Sequence, residues 1–329
     1  MSRFICFDLE GPLSPQDNAY ELMKLFPQGD RVFETISRYD DLLTLEGKKG
    51  YEPGDTLALI VPFLLYHGIG ESDIRALAQT AKLVEGAKEL IFRLLSGNWR
   101  VFCISTSYEQ YALAIAQRVG IASKGVACTS FPLDRYARML CKEDRLRVGK
   151  VEKKILSLRP GDEEQMKHLL DHFFWSELPS TELGKIMMGV KPVGGRRKVE
   201  ALTKFAQECG QSLGNFAVVG DSITDFRMLQ AVNQARGLAI AFNANEYALP
   251  YASLGLASTH LSDLSPVLEA WEGGGKEAAK EVVKEKEKVG GAGNREHFHW
   301  LGGVKDLAPI LEVHRRIRRL VREEAAKLG

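Results

Sequence analysis

Short apolar runs closed by small or acidic residues recur along the chain, separated by stretches with helical spacing. Phe4-Ile5-Cys6-Phe7 leads into Asp8-Leu9-Glu10-Gly11-Pro12, and Phe216-Ala217-Val218-Val219 leads into Gly220-Asp221-Ser222-Ile223-Thr224-Asp225. Runs of this length closed by Gly or Asp predict buried strands. Further strands are expected over residues 100–104, 126–131 and 238–242. Between them, residues 85–95, 108–119 and 197–209 have the periodicity of amphipathic helices, the second stopped by Gly120. Ser105-Thr106-Ser107 is read as a hydroxyl-rich turn between a strand and a helix, a place where an anion can meet backbone N–H groups. This repeated strand–turn–helix grammar predicts an α/β fold: a doubly wound, mainly parallel Rossmann-like sheet.

Two regions depart from that grammar. Residues 16–84 read as a helical cap inserted after the first strand, with segments at 19–26, 56–66 and 72–80. Residues 133–189 are charged, helical in pattern and broken at Arg159-Pro160-Gly161, which suggests a second, smaller insertion. The core is thus assigned to 1–15, 85–132 and 190–270. Residues 271–329 form a charged stretch, helical or linker, followed by a basic helix over 305–328.

Composition narrows the classes. With 329 residues, 45% apolar content and a formal net charge of +1, the chain is expected to be a soluble globule with no bulk electrostatic case for nucleic acid. No run approaches the length of a membrane span, and the first residues lack the pattern of a signal peptide. Five scattered cysteines without a C-x-x-C pair point to a reducing cytoplasm.

The strand ends carry the chemistry. Asp8 and Glu10, Ser105, Lys198, and Asp221 with Asp225 are the parts that phosphoryl transfer through a covalent intermediate requires. A carboxylate can serve as nucleophile, and paired acids suit Mg²⁺. A hydroxyl and a lysine can hold phosphoryl oxygens, and a second acid can move the proton. Thr106 and Ser107 compete with Ser105, and Lys191 competes with Lys198, although the interval from Lys198 to Asp221 leaves room for one helix and one strand. Glu10 is either the acid/base or a structural acid that ties the turn. His168 and His172, four apart, make a weak metal pair without a third ligand. His297 and His299, beside Phe298 and Trp300, suggest packing of the tail onto the core. Arg315, Arg316, Arg318, Arg319 and Arg322 read as a solvated, salt-bridged helix face, with phosphate or an acidic partner as the alternative.

Taken together, these four motifs resemble the haloacid dehalogenase superfamily of phosphatases. The likeness covers the core strands, and it extends to Leu238-Ala239-Ile240-Ala241-Phe242-Asn243-Ala244, which is similar to the phosphoserine-phosphatase-like members. It implies Asp8 as nucleophile, Glu10 as acid/base, and Ser105 and Lys198 as phosphate ligands. It also implies Asp8, Asp221, Asp225 and the backbone carbonyl of Glu10 around Mg²⁺, and a small phosphorylated metabolite as substrate. The family has Asp where this chain has Glu10, one methylene longer. Glu10-Gly11-Pro12 resembles an archaeal-type branch labelled energy-converting hydrogenase A subunit R. That departure motivates an alternative: a catalytically weak or inactive subunit, meeting a protein partner or a second copy through the cap or the C-terminal helix.

Overall fold

Alternating residues of each buried strand feed two separate apolar layers. Ile5 and Phe7 of the first strand, with Ala217, Val219, Ile240 and Leu256, face one layer. Phe4 and Cys6, with Phe216, Val218, Ala239 and Ala241, face the other. This period of two is the geometry of a strand buried on both sides. The computed structural model describes residues 3–159, 161–289 and 296–322. Residues 323–328 of the expected basic helix, the last residues of the charged stretch up to Arg295, and Pro160 lie outside the described residues.

Seven strands form one sheet: β1 (Arg3–Asp8), β2 (Trp99–Tyr108), β3 (Val126–Thr129), β4 (Phe216–Gly220), β5 (Leu238–Phe242), β6 (Leu254–Ser258) and β7 (Glu296–Trp300), in the order β3-β2-β1-β4-β5-β6-β7. The first six are parallel, and β7 runs antiparallel to β6. Helices cover both faces. Leu90, Ile91 and Ile115 pack on one, while Leu202, Phe205, Met228 and Val232 pack on the other. The expected doubly wound, mainly parallel architecture with helical insertions is therefore what the chain adopts.

Several local expectations need correction. Ser105-Thr106-Ser107 is not a turn: β2 continues to Tyr108, and its pairing with β3 shifts register between Ile104 and Tyr108, as a β-bulge does. The 56–66 segment is two short helices, Thr56–Leu59 and Val61–Tyr66, broken just before Pro62. The 271–289 stretch is no linker. It belongs to a helix, Ser265–Val289, interrupted at Gly275, and it buries Ala279 and Val283 beside β7. Neither β6 nor β7 is anticipated from the sequence. Leu254-Gly255-Leu256-Ala257-Ser258 is a short run rich in small residues, and β7 alternates charged or polar with aromatic residues, as an edge strand can.

The helices of 16–84 and of 133–189 meet. Helix Gly29–Leu45 packs on Lys142–Ser157 and Glu163–Asp171, and Val61–Tyr66 packs on Lys142–Ser157. Tyr39 Oη donates to Asp171 Oδ1 at 2.6 Å and accepts from Trp175 Nε1 at 2.6 Å. His168 and His172 are both exposed. Among the described residues no single helix is long and apolar enough to cross a membrane.

Candidate functional site

The strand order reverses between β1 and β4, and such a switch point opens a crevice at the carboxyl ends of the strands. The pairing of Phe7 with Val219 sets Asp8 level with Gly220, one residue short of Asp221. Asp8, Asp221 and Asp225 are buried, and each offers a carboxylate oxygen within 4.8 Å of the others. Gly11, at φ +102°, lets the loop after β1 close over this point; a Cβ there would stand 2.4 Å from the Asp221 carboxyl carbon.

Lys198 lies at the centre. It sits in the first turn of helix Arg196–Glu208, with no exposed surface, and its Nζ is 2.7 Å from Asp8 Oδ1 and 2.6 Å from Asp225 Oδ1. Burial works against its charge, but the carboxylates of Asp225 and Asp8 outweigh it and raise its pKa. Lys191, the competing lysine, is exposed. Burial, and then the charge of Asp225, push the Asp8 carboxyl well above the usual range, while Lys198 pulls it back.

The oxygens divide into committed and free ones. Asp225 Oδ1 takes Lys198, and Oδ2 accepts from the backbone N–H of Asp221 at 2.9 Å and of Ser222 at 3.1 Å. Asp8 Oδ1 takes Lys198 and the Leu9 N–H at 2.7 Å. Asp221 Oδ1 is buried with no hydrogen-bond partner. A buried carboxylate oxygen left over among three acids suits a small oxygen-seeking dication, so this donor set fits Mg²⁺.

Glu10 and Ser105 differ in placement. Glu10 is half-buried on the wall of a cavity of ≈ 170 Å³ above the acids, and its Oε1 accepts from the Asn18 N–H at 2.7 Å. Burial and the neighbouring Asp17 charge raise its pKa to about 7. Ser105 has no exposed surface, and its Oγ accepts from the Ser107 N–H at 3.0 Å. Thr106, its neighbour and competitor, lines the cavity instead. The register shift between β2 and β3 falls over this same stretch.

The arginine cluster is not a uniformly solvated face. Arg315, Arg316 and Arg319 are exposed, but Arg318 is 5% exposed and, with Arg322, reaches Asp221 Oδ2, Arg322 Nη1 at 3.0 Å. Burial, and then the Arg322 charge, lower the Arg318 pKa to about 10, so it remains cationic at neutral pH. The sequence places both in a basic cluster but does not assign either to the acid site. The signal was their spacing: His314, Arg318 and Arg322 follow at intervals of four, in line with the apolar Ile310 and Ile317. From the cap, Asp17, Asp40, Thr56 and Leu57 complete the cavity wall.

No protein-family model matches the chain. Among solved structures, the gene product AF1437 from Archaeoglobus fulgidus superposes with a TM-score of 0.85 at 31% identity, over 100% of this chain and 99% of that one. The phospho-aspartyl intermediate analogue of phosphoserine phosphatase superposes with a TM-score of 0.52 at 18% identity, over 80% of this chain and 97% of that one, a likeness of fold. Among curated proteins, the phosphoserine phosphatase of Archaeoglobus fulgidus is 23% identical over 269 residues, 81% of this chain. The chain spans 60% of the length of that relative. This sheet order and the superposition on a relative covered almost throughout show that the chain adopts the haloacid dehalogenase-like fold, with a buried acid cluster at its switch point.

Proposed function

We propose that the chain is an Mg²⁺-dependent phosphatase that hydrolyses a small phosphomonoester through an aspartyl-phosphate on Asp8. The observation that carries this reading is the convergence of Asp8, Asp221 and Asp225 within 4.8 Å of one another, with Lys198 ion-paired to two of them. Asp8, Asp221 and the Glu10 carbonyl would hold the cation, and Asp225 supports it through Lys198. When bound, Mg²⁺ supplies the charge that lets a phosphate approach a carboxylate. Asp8 attacks phosphorus in line as the bond to the leaving oxygen breaks. Glu10 gives that oxygen a proton, then takes one from the water that cleaves the aspartyl-phosphate, which returns Asp8 and releases phosphate. Lys198 and a hydroxyl after β2 hold the phosphoryl oxygens. The sequence points to Ser105 for this role; Thr106, on the cavity wall, is the better placed. The helical body of 16–84 and 133–189 covers the site and selects the substrate. The likeness to phosphoserine phosphatase makes O-phosphoserine the first compound to try. The five cysteines are free thiols, which suits a reducing, cytoplasmic setting.

The test is phosphate release by the purified chain from p-nitrophenyl phosphate and from a broad panel of phosphomonoesters, with Mg²⁺ and with EDTA. Metal-dependent release that disappears in Asp8→Asn supports the proposal. A second reading, an inactive subunit related to the branch labelled energy-converting hydrogenase A subunit R, is favoured only by Glu10-Gly11-Pro12. Silence across the panel, with a partner protein that co-purifies in fixed ratio, would move the assignment there.

A further inference from the structure

The acid cluster receives more positive charge from the chain than one lysine supplies. Helix Ala308–Arg322 lies along β6 and sends two guanidinium groups to one carboxylate. Arg318 Nη1 donates to Asp221 Oδ2, and to the carbonyls of Asn243 at 3.1 Å and Asp221 at 3.4 Å. Arg322 Nη1 donates to the same Oδ2 at 3.0 Å, while its Nε reaches the Pro15 carbonyl at 3.1 Å. The helix thereby ties the loop after β1 to the end of β4. Both arginines use Oδ2, and Oδ1 of Asp221 stays buried and without a partner.

Counted over the groups that ion-pair directly, and leaving aside Glu10 and Asp17 on the cavity wall, the formal charges balance without any added ion. Three carboxylates, Asp8, Asp221 and Asp225, face three side-chain cations, Lys198, Arg318 and Arg322. A divalent cation entering alone leaves the cluster with a surplus of two positive charges, and a phosphate dianion entering alone leaves the opposite surplus. Together they restore neutrality. In a buried, low-dielectric site such surpluses are costly.

Resting on the phosphatase reading above, we propose that Arg318 and Arg322 are positioning residues. They hold Asp221 by one oxygen, present the other to the cation, and make cation and substrate phosphate bind as a pair. Binding coupled in this way is reciprocal: each tightens the other by the same factor.

Mn²⁺ binding to the full chain, followed by the EPR signal of free Mn²⁺ with and without inorganic phosphate and referred to protein-free buffer of the same composition, tests this directly. Phosphate is expected to tighten Mn²⁺ binding at least about tenfold. Arg322→Gln, which keeps a donor and drops the charge, is expected to bind Mn²⁺ alone at least about tenfold more tightly and to gain less from phosphate. Arg322→Lys, which keeps the charge, should follow the parent. Mn²⁺ affinity indifferent to phosphate in the parent, or weakened in a folded Arg322→Gln, overturns the inference and leaves the phosphatase reading standing. The parent measurement needs no variant and decides alone if Arg322→Gln does not fold. Failure of the parent to bind Mn²⁺ under either condition overturns both.

Discussion

Lys198 grips Asp8 through a 2.7 Å ion pair at the point where the strand order of the sheet reverses. Asp225 holds the same ammonium at 2.6 Å, so one buried cation serves two buried anions. Replacing Lys198 by Met strips both carboxylates of their counter-charge. A loss of about 3–5 kcal/mol of stability in urea unfolding is expected, together with a fall of about 10²–10³ in phosphate release. Unchanged stability would mean that the two acids are held by something other than this lysine.

Glu10 offers a sharper separation. Glu10→Gln can keep the hydrogen bond from the Asn18 N–H and removes only the proton. Turnover should fall about 10²–10⁴-fold, and more for an alkyl phosphate than for p-nitrophenyl phosphate, whose leaving group needs no acid. Glu10→Asp keeps an acid and should fall less. Equal losses of kcat/KM on both esters, a quantity that reports phosphoryl transfer to Asp8 and not the later hydrolysis, would assign Glu10 to the turn rather than to protonating the leaving group.

Gly11 carries a backbone angle of φ +102° and lies against Asp221. Gly11→Ala adds about 1–2 kcal/mol of backbone strain and drives a methyl into the Asp221 carboxylate. A displacement of about 1 Å there is expected to cost on the order of 100-fold in kcat/KM. Steady-state kinetics beside a thermal melt read the two effects separately.

Asp40, in the cap wall, accepts from Tyr51 and has its pKa raised to about 7, first by burial and against the pull of the Tyr51 and Thr56 hydrogen bonds. A carboxyl raised in the folded state keeps its proton while the unfolded chain loses it. Stability is therefore lost as pH climbs from about 4 to about 7, and the loss is complete above that window. Asp40→Asn should raise the melting temperature at pH 8 by about 2–4 °C, a gain of about 1 kcal/mol, and by less at pH 5. Equal shifts at both pH values would show that the carboxyl does not titrate there.

The sheet was legible where strands are apolar and end in acids. β1, β4 and β5 lie within a residue of their expected ends, because a buried parallel strand leaves an unbroken apolar run. β6 and β7 escaped because Gly255 and the polar residues of an edge strand dilute that signal. Asp8, Lys198, Asp221 and Asp225 stand in motifs whose spacing survives in the sequence. Ser105 and Thr106 are adjacent hydroxyls, and which of them meets the cavity depends on the path of β2, which adjacency in the sequence does not reveal. Charge alone leaves Arg318 and Arg322 open between a solvated face and a phosphate or acidic partner, and only helical phase separates them from Arg315, Arg316 and Arg319. The phase puts Arg318 and Arg322 in line with His314, whose Nδ1 accepts from the buried Ala244 N–H.

The two helical insertions leave the sheet at different places, after β1 and after β3, yet share one apolar interior. Tyr39 stacks on Phe174 and Phe63 meets Phe173, with ring centroids 6.0 and 6.3 Å apart. His67 and Arg38 add polar bonds to Glu152 and Glu163 across the same seam, at 2.7 and 2.8 Å. Deleting either insertion would bare aromatic surface on the other, so evolution or engineering can exchange them only as a unit. That unit is joined to the scaffold after β1 and after β3, and helix Glu71–Thr80 also packs on the core helix Glu109–Val119, where Arg118 Nη1 donates to the Ala78 carbonyl.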